Sequence, residues 1–247
     1  MATKFLIVKT GKTYDAIRDL HGCFEDWMRA GLGVDGDRVE VVNVFDGGLL
    51  PAQLDGIAGV VITGSPAMVT ERQPWSEAVA RWLAYRLREK RTDVPMLGIC
   101  YGHQLLAHAL GGRVDFNPRG REIGSVPLHA RPALADDPLL GGLGFPLVAH
   151  VTHLQSVLEL PPDAVLLASS EREPHHAFRI GDRVWGVQFH PEFTDEIMRS
   201  YIDILGERMA GEGLDPAAIR ASVRAAPDAS RVLRRFARFC DGLQRPA

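Results

Sequence analysis

Cys100 lies in the stretch Pro95-Met96-Leu97-Gly98-Ile99-Cys100-Tyr101-Gly102-His103-Gln104, where an apolar run meets Gly-x-Cys-x-Gly. A strand that turns sharply into a helix through such a sequence lifts its central side chain above the sheet edge. This is the nucleophile-elbow pattern with Cys in place of Ser. The flanking glycines suit a turn in which neighbouring side chains would clash. At a helix N-terminus the macrodipole favours the thiolate, the form that attacks a carbonyl carbon. The backbone N–H of Tyr101 then points toward the oxyanion that develops. A cysteine without such context is more often a small buried hydrophobe; the two glycines and the strand–helix junction reverse that balance.

A base is available in Trp185-Gly186-Val187-Gln188-Phe189-His190-Pro191-Glu192. His190 is expected to end an apolar strand, and period-two geometry puts Glu192 on the same side. Pro191 restricts its neighbours. His190 can take the thiol proton and return it to a leaving group, while Glu192 fixes the tautomer and stabilises the imidazolium. Alone, His-Pro-Glu reads as a turn. Beside an elbow cysteine it completes a Cys-His-Glu triad.

The elements that must position these groups follow from pattern. Strands are expected at 4–8, 39–44, 57–63 and 95–99, and helices at 15–30, 75–87 and 104–110. Short strand-like runs follow at 123–129, 147–152, 165–168, 177–180 and 184–189. From Thr194 the chain reads as helical, and Pro216 and Pro227 divide the tail into two further helices. Strands alternating with helices suggest a parallel sheet covered on both faces.

Composition narrows the class. The 247 residues are 46% hydrophobic and 24% charged, values of an ordinary globular chain. Lys and Arg total 28 against 31 acidic residues, which argues against a nucleic-acid binder or a basic membrane-surface protein. The start reads as a strand, not a signal peptide, and no apolar run is long enough for a spanning helix. Cys23, Cys100 and Cys240 are far apart and odd in number, so a disulfide framework is not expected and a cytoplasmic setting is. His103 and His108 do not share a helix face, and His175 and His176 diverge; no metal site is expected. Cys23 and Cys240 read as packing residues. In the basic tail Val232, Phe236, Phe239 and Leu243 recur at helical spacing, with the arginines solvated.

The two motifs together resemble class I (triad-type) glutamine amidotransferases, most closely the glutaminase domain of GMP synthetase and its free-standing relatives. The resemblance runs from about Lys4 to Tyr201. It implies an α/β fold with a flavodoxin-like doubly wound sheet, here with a helical C-terminal extension; the division expected is residues 1–205 and 206–247. It implies hydrolysis of the glutamine side-chain amide through a γ-glutamyl thioester on Cys100, releasing ammonia, with no cofactor. Cys100 would be nucleophile, His190 base and Glu192 its orienter. The backbone donors of Ser65 and Tyr101 would form the oxyanion hole, and Gly64, Gln104, His153 and Gln155 would lie on the substrate side. The chain departs from the family twice. The usual Gly-Gly-Pro reads Gly64-Ser65-Pro66, and Ser-His-Gly-Asp reads Thr152-His153-Leu154-Gln155, which loses the acidic residue.

Only 46 residues follow Tyr201, too few for an ATP-dependent synthetase module, and no Gly-rich phosphate loop is present. Two enzymatic readings follow: a glutaminase supplying a separate synthetase subunit, or a free-standing γ-glutamyl peptidase or hydrolase. A third, of another class, is a regulatory subunit that senses glutamine without hydrolysing it. The ligand is glutamine or another γ-glutamyl compound in each case; nucleic acid and membrane are not expected partners.

Overall fold

The computed structural model describes residues 3–89 and 92–244. The first half runs β1 (Lys4–Lys9), α1 (Asp15–His21), α2 (Phe24–Leu32), β2 (Val39–Asn43), β3 (Ile57–Ile62), α3 (Pro74–Ala84), β4 (Met96–Ile99) and α4 (Tyr101–Ala109). The middle is strand-rich: β5 (Arg113–Phe116), β6 (Glu122–Ala130), β7 (Leu147–His153), β8 (Gln155–Glu159), β9 (Ala164–Ser169), β10 (Ala177–Ile180) and β11 (Val184–Val187). Three helices close the chain: α5 (Asp195–Gly211), α6 (Pro216–Ser222) and α7 (Arg231–Leu243).

Nine strands form one sheet in the order β2-β1-β3-β4-β11-β10-β9-β6-β7, and β5 pairs with β8 in a separate ribbon. The first five are parallel, so the doubly wound expectation holds for this part. From β11 outward every pairing is antiparallel. The parallel strands read as continuous apolar runs because both faces are covered: β1 and β3 are buried almost throughout. One face packs Phe5, Ile7 and Val61 against α2 and α7; the other packs Leu6, Val60 and Ile62 against α3 and α4.

Several boundaries differ from the sequence reading. The helix expected over 15–30 is two helices, because Gly22 adopts φ +82° and the chain restarts with Asp26 accepting from the Cys23 N–H. Leu20, near the end of α1, is exposed. Residues 85–89 leave α3 as a π-turn. Helix α4 begins at Tyr101, three residues before the expected start, which puts Cys100 at its N-cap. Strand β11 stops at Val187, so residues 188–190 lie beyond it. Residues 155–159, left outside the strand-like runs expected from sequence, are a strand paired with β5.

Helix α5 runs unbroken to Gly211, past the boundary expected at 205/206. Helix α7 buries Val232, Leu233, Phe236 and Cys240 in the main core. Leu243 is exposed; Arg231, Arg234 and Arg238 are exposed as expected, whereas Arg235 is half-buried and donates to the carbonyls of Leu139 and Gly141. No helix among the described residues is long and apolar enough to cross a membrane.

Candidate active site

The parallel strands follow the flavodoxin-like order 2-1-3-4-5, and in such sheets ligands bind outside the carboxyl ends of the strands. Cys100 directly follows β4 at that edge, with φ +50° and ψ −101°. A non-glycine residue in this region is strained and persists only where its surroundings hold it. They do: the Cys100 N–H donates to Val187 O at 2.8 Å, and the Gly102 N–H to Thr63 O at 3.2 Å. A Cβ at Gly98 would lie 2.4 Å from Gly102 O, and one at Gly102 2.4 Å from Ile62 O. Both elbow glycines are thus required by close backbone approach.

His190 lies just past β11, its N–H bound to His150 O at 2.8 Å. Its Nδ1 is 2.7 Å from Glu192 Oε1, and its ring stacks on Phe193 at 4.0 Å between centroids. Nδ1 therefore carries the proton toward Glu192, which leaves Nε2 outside that bond in a ring that lines the same cavity as Cys100. A Cβ on Gly64 would lie 3.1 Å from His190 Cε1 and 3.7 Å from Cys100 Cβ, so ring and thiol-bearing carbon flank one point. Burial disfavours the charged ring, but Glu192 and the Cys100 sulfur outweigh it and raise the His190 pKa to about 10. The protonated form of the His190 ring is thereby favoured beside Cys100.

The segment after β3 brings Ser65 to the same cavity and Gly64 against the His190 ring and Cys100. Thr10 secures it: its Oγ1 donates to Thr63 O at 2.9 Å while its N–H donates to Thr63 Oγ1 at 3.0 Å. Ser65 is not among the residues with positive φ, so the backbone here tolerates serine where the family has glycine. Its Oγ accepts from the Ala67 N–H at 3.2 Å. Tyr101, at the first position of α4, leaves its N–H outside the helix's own bonds. Its phenol is buried against Ser76 Oγ at 2.6 Å, and burial pushes its pKa up to about 12.

Gln104, His153 and Gln155 line the cavity, but their polar atoms are largely engaged within the protein. Gln104 Nε2 donates to Gln155 O and to Gln188 Oε1, both at 2.9 Å. Gln155 accepts the Val69 N–H and donates to Thr70 Oγ1. His153 has Gln155 O at 2.9 Å from Nδ1 and Glu122 Oε2 at 3.0 Å from Nε2. His176 Nε2 meets the same Glu122 oxygen at 2.9 Å. Glu122, His153 and His176 thus present ligand-type atoms within 4.8 Å of one another, a cluster whose members lie 31 and 23 residues apart, so no local spacing announces it.

The structure also brings in residues that the motifs did not indicate. Phe193 supports the His190 ring, and Tyr201 stacks behind it while bonding Thr13 Oγ1 at 2.7 Å. Lys12, Arg121 and Arg208 stand around the cavity, and none of its described lining residues is Asp or Glu. Arg121 is paired with Glu212 through two hydrogen bonds. The periodicity of α5 could have found Tyr201 and Leu205 on its buried face; Lys12 and Arg208 leave no such mark.

Residues 16–202 match the family model described as glutamine amidotransferase class-I. GMP synthase (glutamine-hydrolyzing) of Porphyromonas gingivalis is 35% identical over 170 residues, covering 66% of this chain but 31% of that protein. The chain thus spans about a third of the length of that relative. Gamma-glutamyl peptidase 3 of Arabidopsis thaliana is 30% identical over 193 residues, 76% of each chain. Among solved structures, a glutamine amido transferase from Methylobacillus flagellatus superposes with a TM-score of 0.75 at 25% identity, covering 100% of this chain and 98% of that one. With the family model matched over most of its length, this chain belongs to the class I glutamine amidotransferases.

Proposed function

We propose that the chain hydrolyses a γ-glutamyl amide by covalent catalysis at Cys100. The observation that carries this reading is the strained elbow cysteine sharing a cavity with His190, whose Nδ1 is held by Glu192. The Cys100 thiolate attacks the γ-carbonyl carbon, and the backbone N–H groups of Tyr101 and Ser65 receive the oxyanion. His190 delivers its Nε2 proton to the departing nitrogen, the C–N bond breaks, and a γ-glutamyl thioester remains. Water then attacks the thioester. His190 takes its proton, and glutamate leaves as the thiolate is regenerated. Gln104 and Gln155 shape the cavity wall by locking α4, β8 and the 69–70 segment together, and Gly64 leaves room beside His190 and Cys100.

With glutamine the released amine is ammonia, passed to an acceptor held by a separate synthetase subunit. One observation favours a second reading, in which the donor is another γ-glutamyl compound. A cavity edged by Lys12 and Arg208 and, among the described residues, lined by no carboxylate suits a leaving amine that carries its own carboxylate, as in a γ-glutamyl peptide. A purely sensory role leaves the strained Cys100 backbone unexplained, since strain of this kind is stored where a mechanism uses it. The three free, buried cysteines fit a reducing, cytoplasmic setting.

The deciding experiment incubates purified chain with glutamine and with a panel of γ-glutamyl peptides, measuring ammonia and free amine. Turnover that disappears in Cys100→Ala supports the mechanism. Turnover retained in Cys100→Ala overturns it.

A further inference from the structure

His153 has no ring nitrogen left for a ligand. Nδ1 faces Gln155 O, a carbonyl that can only accept, so Nδ1 carries a proton. Nε2 faces Glu122 Oε2, and that carboxylate also receives His176 Nε2 at 2.9 Å and the Ser170 hydroxyl at 2.6 Å. A carboxylate taking several donors is held ionised, and Glu122 is displaced well below the ordinary carboxylate range despite its burial. An ionised carboxylate opposite Nε2 requires a second proton there. Both ring nitrogens of His153 thus face oxygen acceptors although its side chain is only 1% exposed.

This charge lies beside the nucleophile. Thr152, the preceding residue, has its carbonyl 3.9 Å from Cys100 Sγ, and His153 lines the same cavity as the sulfur. Glu122 is not among that cavity's lining residues, so His153 is the member of the pair that reaches it. The other charged or titratable groups around the two are known. Glu173, His176 and buried His103 surround His153, while His190, Glu192 and Tyr201 stand about Cys100. Burial works against a charged His153, but Glu122, Glu173 and the Cys100 sulfur outweigh it and raise its pKa.

We propose that Glu122 keeps His153 as a fixed imidazolium that stabilises the Cys100 thiolate, making His153 an electrostatic positioning residue and not a contact for substrate. The inference rests on Cys100 being the nucleophile. It divides labour between two histidines. His190 gives its proton to the leaving nitrogen and takes another from water, so its charge comes and goes within each turnover. His153 exchanges no proton, and its charge is present both when the thiolate attacks and when it leaves the thioester. The Coulomb attraction involved is large only because the site is buried.

The test follows alkylation of Cys100 by iodoacetamide in the full chain, read by peptide mass, from about pH 6 to about pH 9, with Cys100→Ser as the blank. In Glu122→Gln the ring loses its anionic partner and reverts to neutral. The Cys100 alkylation rate at neutral pH is expected to fall about tenfold, the equivalent of one pH unit. The loss should be greater at the acid end and vanish at the alkaline end. Glu122→Asp, which keeps the carboxylate, should recover much of the rate, and His153→Gln should repeat the loss if Glu122→Gln fails to fold. Equal or faster alkylation in Glu122→Gln and His153→Gln, or a loss uniform across pH, overturns the proposal. Absence of Cys100 alkylation in the unsubstituted chain at every pH overturns the nucleophile reading itself, a result distinct from a normal profile that Glu122→Gln leaves unchanged.

Discussion

Glu192 Oε1 lies 2.7 Å from His190 Nδ1 although β11 has already ended at Val187. The pleat of a strand therefore does not hold the pair together. The His190 N–H is pinned to His150 O, Pro191 restricts the turn, and the His190 ring stacks on Phe193. Glu192 is buried and its second oxygen has no partner, so its carboxylate is directed at the imidazole. Such an arrangement sets the tautomer that leaves Nε2 free for proton transfer.

Glu192→Gln tests that role with little change of shape. The amide cannot stabilise the imidazolium, and it can present its NH2 group to Nδ1, favouring the wrong tautomer. We expect kcat for γ-glutamyl hydrolysis to fall by about 10²–10⁴ with KM little changed. Steady-state amine release measures both constants. A kcat within about twofold of the unsubstituted chain would remove Glu192 from the mechanism.

The elbow glycines carry a prediction about stability. A methyl group at position 102 meets Ile62 O at 2.4 Å, and one at 98 meets Gly102 O at the same distance. Neither neighbour is the end of a flexible side chain, so strands β3 and β4 or helix α4 must shift. Gly102→Ala should cost about 1–3 kcal/mol or more, read as a lowered midpoint in denaturant unfolding. The surviving folded protein should also react poorly at Cys100. An unchanged midpoint contradicts the close packing described for the elbow.

How far these features were legible in sequence differs by their physical origin. Gly98, Cys100 and Gly102 announce the elbow because backbone approach demands those residue types at that spacing. The parallel strands were legible because burial on both faces leaves uninterrupted apolar runs. The break at Gly22 was not, since the apolar spacing of Ile17, Phe24, Trp27 and Met28 continues across it. β8 was hidden because Gln155 and Ser156 are polar yet buried, Gln155 being held by Val69 and Thr70, which are distant in sequence. The Glu122–His153–His176 cluster was illegible for the same reason: its three members come from β6, the end of β7 and the segment before β10.

His150 links the site to acid stability. Burial is the largest influence on it and lowers its pKa to about 4; His190 and Arg199 add repulsion, and Asp195 opposes the shift. Its folded value lies below the ordinary 6.5, so on acidification the unfolded chain binds a proton first. The contribution is therefore intact above about pH 6.5 and is lost as the pH falls toward about 4. Unfolding midpoints of the unsubstituted chain should drop across this window, and His150→Gln should flatten the drop. Because His150 O holds the His190 N–H, activity should decline with the fold. An equally steep drop in His150→Gln would place the acid sensitivity elsewhere.

Lys12 and Arg208 offer the sharpest discrimination between donors. Both are exposed, and they approach a cavity whose described lining contains no acid. Glu212, already bound to Arg121, also interacts with Arg208 but cannot neutralise both. A γ-glutamyl dipeptide with a free carboxylate should therefore bind better than the same dipeptide with its carboxylate amidated. Exposed charge pairs are weak, so Arg208→Gln is expected to raise KM for the free acid only ~3–5-fold, leaving the amidated peptide unaffected. Added salt should erase the difference, since screening acts on exposed charges. Equal KM changes for both peptides in Arg208→Gln would show that the cavity reads the γ-glutamyl group alone, which favours glutamine itself and a synthetase acceptor for its ammonia.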